Sequence, residues 1–382
     1  MNFDYTPEQQ LLRREIIAFC RATLNAGVVE RDRQQIFARD LWRACGAMGL
    51  TGLPAAVADG GSGSDPLTCA IALEALGYGC TDNGFVFSLC AHLMACVVPL
   101  AKFGTEAQRR TYLPALCDGR HIGVHAMTEA EAGSDPFAMR ARAVRDGAGW
   151  RINGSKTFIT NAGEADVIIV FAITDPAARF HGGVTAFIVE RGTRGYAAGR
   201  KIEKMGLRTS PFGEVTLDDV FVADENVLGG VGGGAGVFTH SMDWERICLF
   251  AAHVGQIERL MERSIEYARV RKVNGQPIGK HQAVAHKIAD MKVRLEAARA
   301  LTYRSASRLD ATRGVSLDAA ITKLFVSEAL AQTATEALQI LGGNGYTTDF
   351  EIERAVRDAL GAPIYSGTSE IQRNIIAHWL GL

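Results

Sequence analysis

Along the first third of the chain, apolar residues recur every three or four positions. Leu11, Leu12, Ile16, Phe19 and Cys20 fall at helical spacing. Ahead of them, Thr6-Pro7-Glu8-Gln9 has the makings of a helix start. It offers a hydroxyl cap, Pro at the first helical position and Gln three residues after the cap. Further apolar helical stretches cover about 36–49, 65–78 and 83–101, and Phe103-Gly104-Thr105-Glu106 ends the last and caps the next. From about 121 to 228 the pattern shortens to β-rich runs at 150–152, 167–171, 185–189 and 214–217. Turn chemistry at Asn153-Gly154, Asp175-Pro176 and Gly182-Gly183 separates them. After the glycine-rich 229–236, Val284, Ile288, Met291, Leu295, Ala298 and Leu301 form one helical stripe, and 317–341 holds no Pro or Gly. The order predicts an α+β chain that is mostly α. Its parts are an N-terminal helical domain over 1–120, a middle antiparallel β domain over 121–228 and a C-terminal helical bundle domain over 229–382.

Charge and composition then remove several classes. Lys and Arg total 41 against 42 Asp and Glu, with no basic stripe, so no nucleic-acid partner is expected. No apolar run reaches the roughly 18 residues of a membrane span, and the Met1 end lacks a signal pattern, so a cytoplasmic protein without a membrane partner is expected. Eight cysteines, none in a Cys-x-x-Cys pair, read as reduced buried thiols. Cys90, His92 and Cys96 lack a second zinc-type pair, so no metal is expected.

The candidate chemistry is concentrated in three segments. Gly230-x-Gly232-x-x-Ala235 matches a loose dinucleotide fingerprint, but a helical region follows instead of a βαβ unit, so it reads as a flexible connector. The run 275–280 lacks a residue and a hydroxyl for a phosphate loop and reads as a turn between helices. More informative are the small-residue segment from Met127 through Thr128, Gly133 and Ser134 to Asp135, the Trp150–Ala162 segment with its Asn-Gly pair, and Tyr365-Ser366-Gly367-Thr368-Ser369-Glu370. Read singly, they are a capped loop, a β-hairpin and a helix start.

In this order they resemble the acyl-CoA dehydrogenase superfamily, as do Lys204-Met205-Gly206-Leu207-Arg208, Asp290-Met291, the 339–346 run and Arg357-Asp358. The resemblance spans almost the whole chain. It implies a helical, a β and a four-helix-bundle domain, with FAD between the last two and a homotetramer or dimer completing the FAD site. Family members oxidise an acyl thioester to its α,β-unsaturated product: a base takes the α-proton and a hydride passes from the β-carbon to flavin N5. The resemblance implies that Met127, Thr128, Gly133 and Ser134 line the flavin or thioester, with Phe158 and Thr160 flanking the flavin ring. Arg271, Gln282, Gln339 and Gly343 would reach a neighbour's FAD, and Thr368 and Glu370 their own. Asn274 stands where a Phe is common against the FAD, which leaves that packing contact open.

Position 366 departs from the family pattern. Most members carry a catalytic Glu there, whereas this chain has Ser366, which offers a backbone N–H to the thioester oxygen but no carboxylate. The alternative base of other branches, a Glu-Arg pair on a helix, is matched by Glu245 and Arg246. Glu245 is the expected base and Arg246 an expected substrate contact. The pairing of Ser-Gly-Thr with Trp244-Glu245 resembles dehydrogenases that act on acyl or aminoacyl groups, prolyl among them, held on carrier proteins. Two other readings stay open: a short- or branched-chain acyl-CoA dehydrogenase of catabolism, and an FAD-binding interaction protein without a working base. The electron acceptor would be an electron-transfer flavoprotein or O₂.

Overall fold

The computed structural model describes residues 5–309 and 315–382. Its first helices are Pro7–Phe19, Val28–Gln34, Arg39–Ala47, Pro66–Gly79, Asn83–His92, Val98–Phe103 and Glu106–Cys117. The caps expected from sequence are present: Thr6 and Thr105 each accept from the backbone N–H three residues on, and Gln9 and Gln108 return the bond. Leu11 is the exception on the first helix; it is exposed, while Ile16, Ile17 and Cys20 carry the burial.

The segment Asn83–Phe103 corrects the expectation that no stretch has a membrane span's length and apolarity. It runs 21 residues at a mean hydropathy of 2.0, and 89% of its most apolar window is buried inside the protein. Ser88, His92 and Lys102 interrupt it in sequence, which hides its continuity, and surrounding helices cover its surface. His92 is a core group there, placed between the Thr51 carbonyl at 3.1 Å and the Gly123 N–H at 2.8 Å. Burial pushes its pKa down to about 4, so it stays neutral.

Eight strands form one sheet: β1 Gly123–Ala126, β2 Arg142–Asp146, β3 Gly149–Thr160, β4 Val167–Ile173, β5 Val184–Glu190, β6 Tyr196–Lys201, β7 Phe212–Ala223 and β8 Val227–Leu228. The order is β6-β7-β3-β2-β4-β5-β8, with β1 also on β4. Pairing is mainly antiparallel, but β1 and β2 each run parallel to β4. Asn153-Gly154 is not the expected hairpin turn. It lies inside β3 at a bulge against β7, where Asn153 Oδ1 accepts from the Asp219 N–H at 2.8 Å. A side chain at Gly154 would strike Ala141 at 2.7 Å, so the glycine serves close packing. The hairpin turns at Gly147-Ala148 instead, between Asp146 and Gly149.

The glycines at 229–236 are not a loose connector. A Cβ on Gly232 would lie 2.6 Å from the Gly182 carbonyl and one on Gly234 2.7 Å from that of Val184. These glycines let the helix Gly234–Trp244 begin directly against β5. The helices Phe250–Val270, Gln282–Ala306, Val315–Leu341 and Ser369–Trp379 make the C-terminal bundle. The expected stripe is its core: Met291, Leu295 and Ala298 are fully buried.

Candidate active site

A cleft of about 750 Å³ opens where the three parts of the fold meet. The helical segment through Phe87, Ala91 and Ala95 forms one wall, the β-domain residues Met127, Thr128, Phe158 and Thr160 another, and the C-terminal residues Glu245, Tyr365, Ser366 and Thr368 the third. Gly133 and Ser134 sit at its edge, both exposed.

Glu245 follows the helix Gly234–Trp244 at the first position of a wide π turn, Glu245–Leu249. Such turns rotate one side chain out of helical register. The residue is 9% exposed, and its carboxylate accepts a hydrogen bond from the Ser366 hydroxyl at 2.5 Å. Burial raises its pKa above the ordinary carboxylate range. The Ser366 hydroxyl, Arg246 and Lys323 pull it partly back. A carboxylate held this way takes up a proton more readily than an exposed one, which suits a general base.

Ser366 and Gly367 both adopt left-handed backbone, at φ 58° and 83°. Three side chains hold this loop. Arg246 Nε donates to the Ser366 carbonyl at 3.1 Å. Gln372 Nε2 donates to the Gly367 carbonyl at 2.9 Å. The Tyr365 hydroxyl meets His253 Nε2 at 2.7 Å, with its ring against Phe87 at 4.6 Å. Arg246 therefore commits one donor to the loop while still lining the cleft.

The β wall depends on a buried ion pair. Lys156 Nζ bonds Glu129 at 2.7 Å and the Met127 carbonyl at 3.1 Å. Glu129 also accepts from the backbone N–H groups of Arg140 and Ala141. Burial pushes the Lys156 ammonium down; it would push Glu129 up, but the ammonium and those N–H groups hold the carboxyl below its usual range. The pair fixes the 127–129 backbone beside the cleft. Lys156→Met strands a buried carboxylate and should cost about 3–5 kcal/mol in denaturant unfolding. A loss under about 1 kcal/mol would contradict this reading.

Whether the cleft suits a flat cofactor is decided by Phe158. The residue is 57% exposed and held at a left-handed φ of 59° by a bulge in β3, with its ring stacked 12° from parallel on Phe212 at 5.7 Å. A large aromatic ring left uncovered beside the Thr128 and Thr160 hydroxyls fits an apolar ring system with polar edges.

The other expected FAD contacts lie elsewhere. Arg271, Asn274 (φ 51°), Gln282, Gln339 and Gly343 are exposed and do not line this chain's cleft. They lie just after or in the last turn of the helices Phe250–Val270 and Val315–Leu341, or at the start of Gln282–Ala306, and so gather at one end of the bundle. Thr368 caps the helix Ser369–Trp379 and borders the cleft, whereas Glu370 is exposed on its first turn.

Models of the acyl-CoA dehydrogenase N-terminal, middle and C-terminal domains match residues 6–120, 125–220 and 232–381. The chain belongs to the acyl-CoA dehydrogenase family. One relative is the L-prolyl-[peptidyl-carrier protein] dehydrogenase of Pseudomonas fluorescens, 42% identical over the full length of both chains. Among solved structures, the prolyl acyl carrier protein oxidase AnaB superposes at a TM-score of 0.97 with 44% identity over 99% of this chain and 100% of its own. PigA with FAD and proline does so at 0.97 with 38% identity over 100% of both chains.

In this acyl-CoA dehydrogenase family member, the cleft is also supported by groups that no sequence motif singles out: Lys156 with Glu129, Tyr365 with His253, Gln372, and Lys323. Lys156 carried a signal, a lone cation at an inward position of an alternating strand. Tyr365 with His253, and Lys323, join segments far apart in the chain and carry none, while Gln372 is an ordinary helix position whose bond to the Gly367 carbonyl, five residues back, needs the left-handed loop to form.

Proposed function

We propose that this chain is an FAD-dependent dehydrogenase of acyl thioesters whose substrate is a prolyl group tethered to a carrier protein. The observation that carries the chemistry is Glu245, a buried carboxylate in the cleft, hydrogen-bonded by the residue standing where most family members place their base. The prolyl reading rests on the relatives, whose names specify prolyl groups on carrier proteins. When bound, FAD supplies the two-electron acceptor that no side chain provides. Met127, Thr128, Phe158, Thr160 and Thr368 would hold it in its own subunit. Arg271, Gln282, Gln339 and Gly343, exposed at the bundle's end, would serve a neighbour's FAD, so the assembly is a homotetramer or a dimer.

In the reaction, Glu245 removes the thioester α-proton. The Ser366 backbone N–H donates to the thioester oxygen as negative charge develops there. Phe87, Ala91 and Met242 give the acyl end an apolar wall that keeps water from the reacting carbons. The eight cysteines are buried thiols, which suits a reducing cytoplasm. The handle is testable. Prolyl presented on a carrier protein should bleach the bound flavin at least tenfold faster than prolyl-coenzyme A at equal concentration. Equal rates would return the protein to the coenzyme A-dependent members of the family.

A further inference from the structure

The side chain at position 366 faces a second task. Ser366 Oγ lies 2.5 Å from Glu245 Oε1, the short separation of a hydroxyl donating to a charged carboxylate. The serine itself cannot drift. Its left-handed backbone is clamped through its carbonyl by Arg246 at 3.1 Å and Gln372 at 3.2 Å. The residue before it is pinned by His253. A single hydroxyl on a fixed loop thus meets a carboxylate at the start of a π turn, 121 residues away in the chain.

We propose that the Ser366 hydroxyl is a positioning residue that aims the Glu245 carboxylate and keeps it ionised, replacing the family's own carboxylate at this place with a holder for the relocated one. The inference rests on the reading of Glu245 as base. Other groups also face that carboxylate: Arg246 beside it, Lys323 from Val315–Leu341, Cys90 from Asn83–His92, and the Tyr365 phenol. They are the same in a Ser366 variant and in the parent, so a comparison of the two isolates the hydroxyl.

The sign of the effect follows from linkage. Glu245 titrates higher in the folded protein than in the unfolded chain. Its contribution to stability is therefore present at low pH and lost as pH rises through its folded titration. Removing the hydroxyl raises that folded value further, so the variant goes on losing stability after the parent has stopped. Glycine suits the left-handed backbone, so Ser366→Gly removes the bond without strain.

The experiment is the Tm of the flavin-loaded protein across pH, for Ser366→Gly in the parent and in Glu245→Gln. The gap between parent and Ser366→Gly should widen as pH rises and then level off, and the widening should vanish in the Glu245→Gln background. The acid limb of flavin bleaching should also move up by about one pH unit. A gap that stays constant with pH, or widens equally in both backgrounds, overturns the proposal. Ser366→Ala serves the same comparison if the glycine variant does not fold. Should Glu245→Gln still bleach its flavin, the base assignment fails on its own, while the Tm comparison still decides whether the hydroxyl holds this carboxylate.

Discussion

Glu245→Gln should leave the protein folded and its flavin bound, yet slow flavin reduction by at least ~10³-fold. The amide is isosteric and can still accept from the Ser366 hydroxyl, so the loop with its two left-handed residues keeps its anchor. What it loses is the capacity to take a proton. Among the described side chains lining the cleft, the other candidates for that proton are poor. Asp358 is committed to the Leu207 N–H and to Asn83. Burial drives the His125 imidazole down to about 4, where it is a weak base. Rapid-mixing spectroscopy at saturating thioester checks the prediction, and a variant that reduces its flavin at the parent rate would remove Glu245 from the mechanism.

The second large effect concerns stability, at a helix crossing whose glycines do not line the cleft. The helices Pro66–Gly79 and Phe250–Val270 cross with a glycine on each. A Cβ on Gly77 would fall 1.9 Å from the Ala252 carbonyl oxygen, and one on Gly255 2.1 Å from that of Glu74. Both obstacles are backbone, so no side chain can swing aside and the helices must separate. Gly77→Ala should therefore cost about 3 kcal/mol in urea unfolding, despite alanine's better helix propensity. Adding Gly255→Ala should cost less than the sum of the single changes, because separation forced by one methyl makes room for the other. A Gly77→Ala change within about 0.5 kcal/mol of the parent would show that the crossing is looser than described. Gly77 packs on the helix Phe250–Val270, which begins five residues after Glu245, so the variant should also shift the acid limb of flavin reduction.

What the sequence disclosed follows the range of the forces involved. Caps at Thr6 and Thr105 and the stripe of Met291, Leu295 and Ala298 depend on residues within two helical turns, and they were readable. Asn153-Gly154 predicts a tight turn in isolation, but the same pair also tolerates a bulge, and only the partner strand β7 decides between them. The glycines of 229–236 looked loose because composition does not show the carbonyls of Gly182 and Val184 packed against them. In the site, resemblance could nominate Glu245 and Ser366 separately. Their hydrogen bond depends on how the 365–367 loop docks on a helix turn that precedes it by about 120 residues, and no local pattern encodes that. The ion pair of Lys156 and Glu129 is hidden for the same reason, since a strand and a loop must meet before either charge has a partner.

We have proposed that this cleft removes hydrogens from a carrier-bound prolyl group with Glu245 as base. The most direct test is one anaerobic turnover of the flavin-loaded protein with prolyl on a carrier protein, followed by the visible flavin band and the mass of the carrier. One flavin should bleach for each prolyl group that loses two hydrogens, with neither change in Glu245→Gln. An unbleached flavin and an unchanged carrier mass in the parent protein would contradict the proposal.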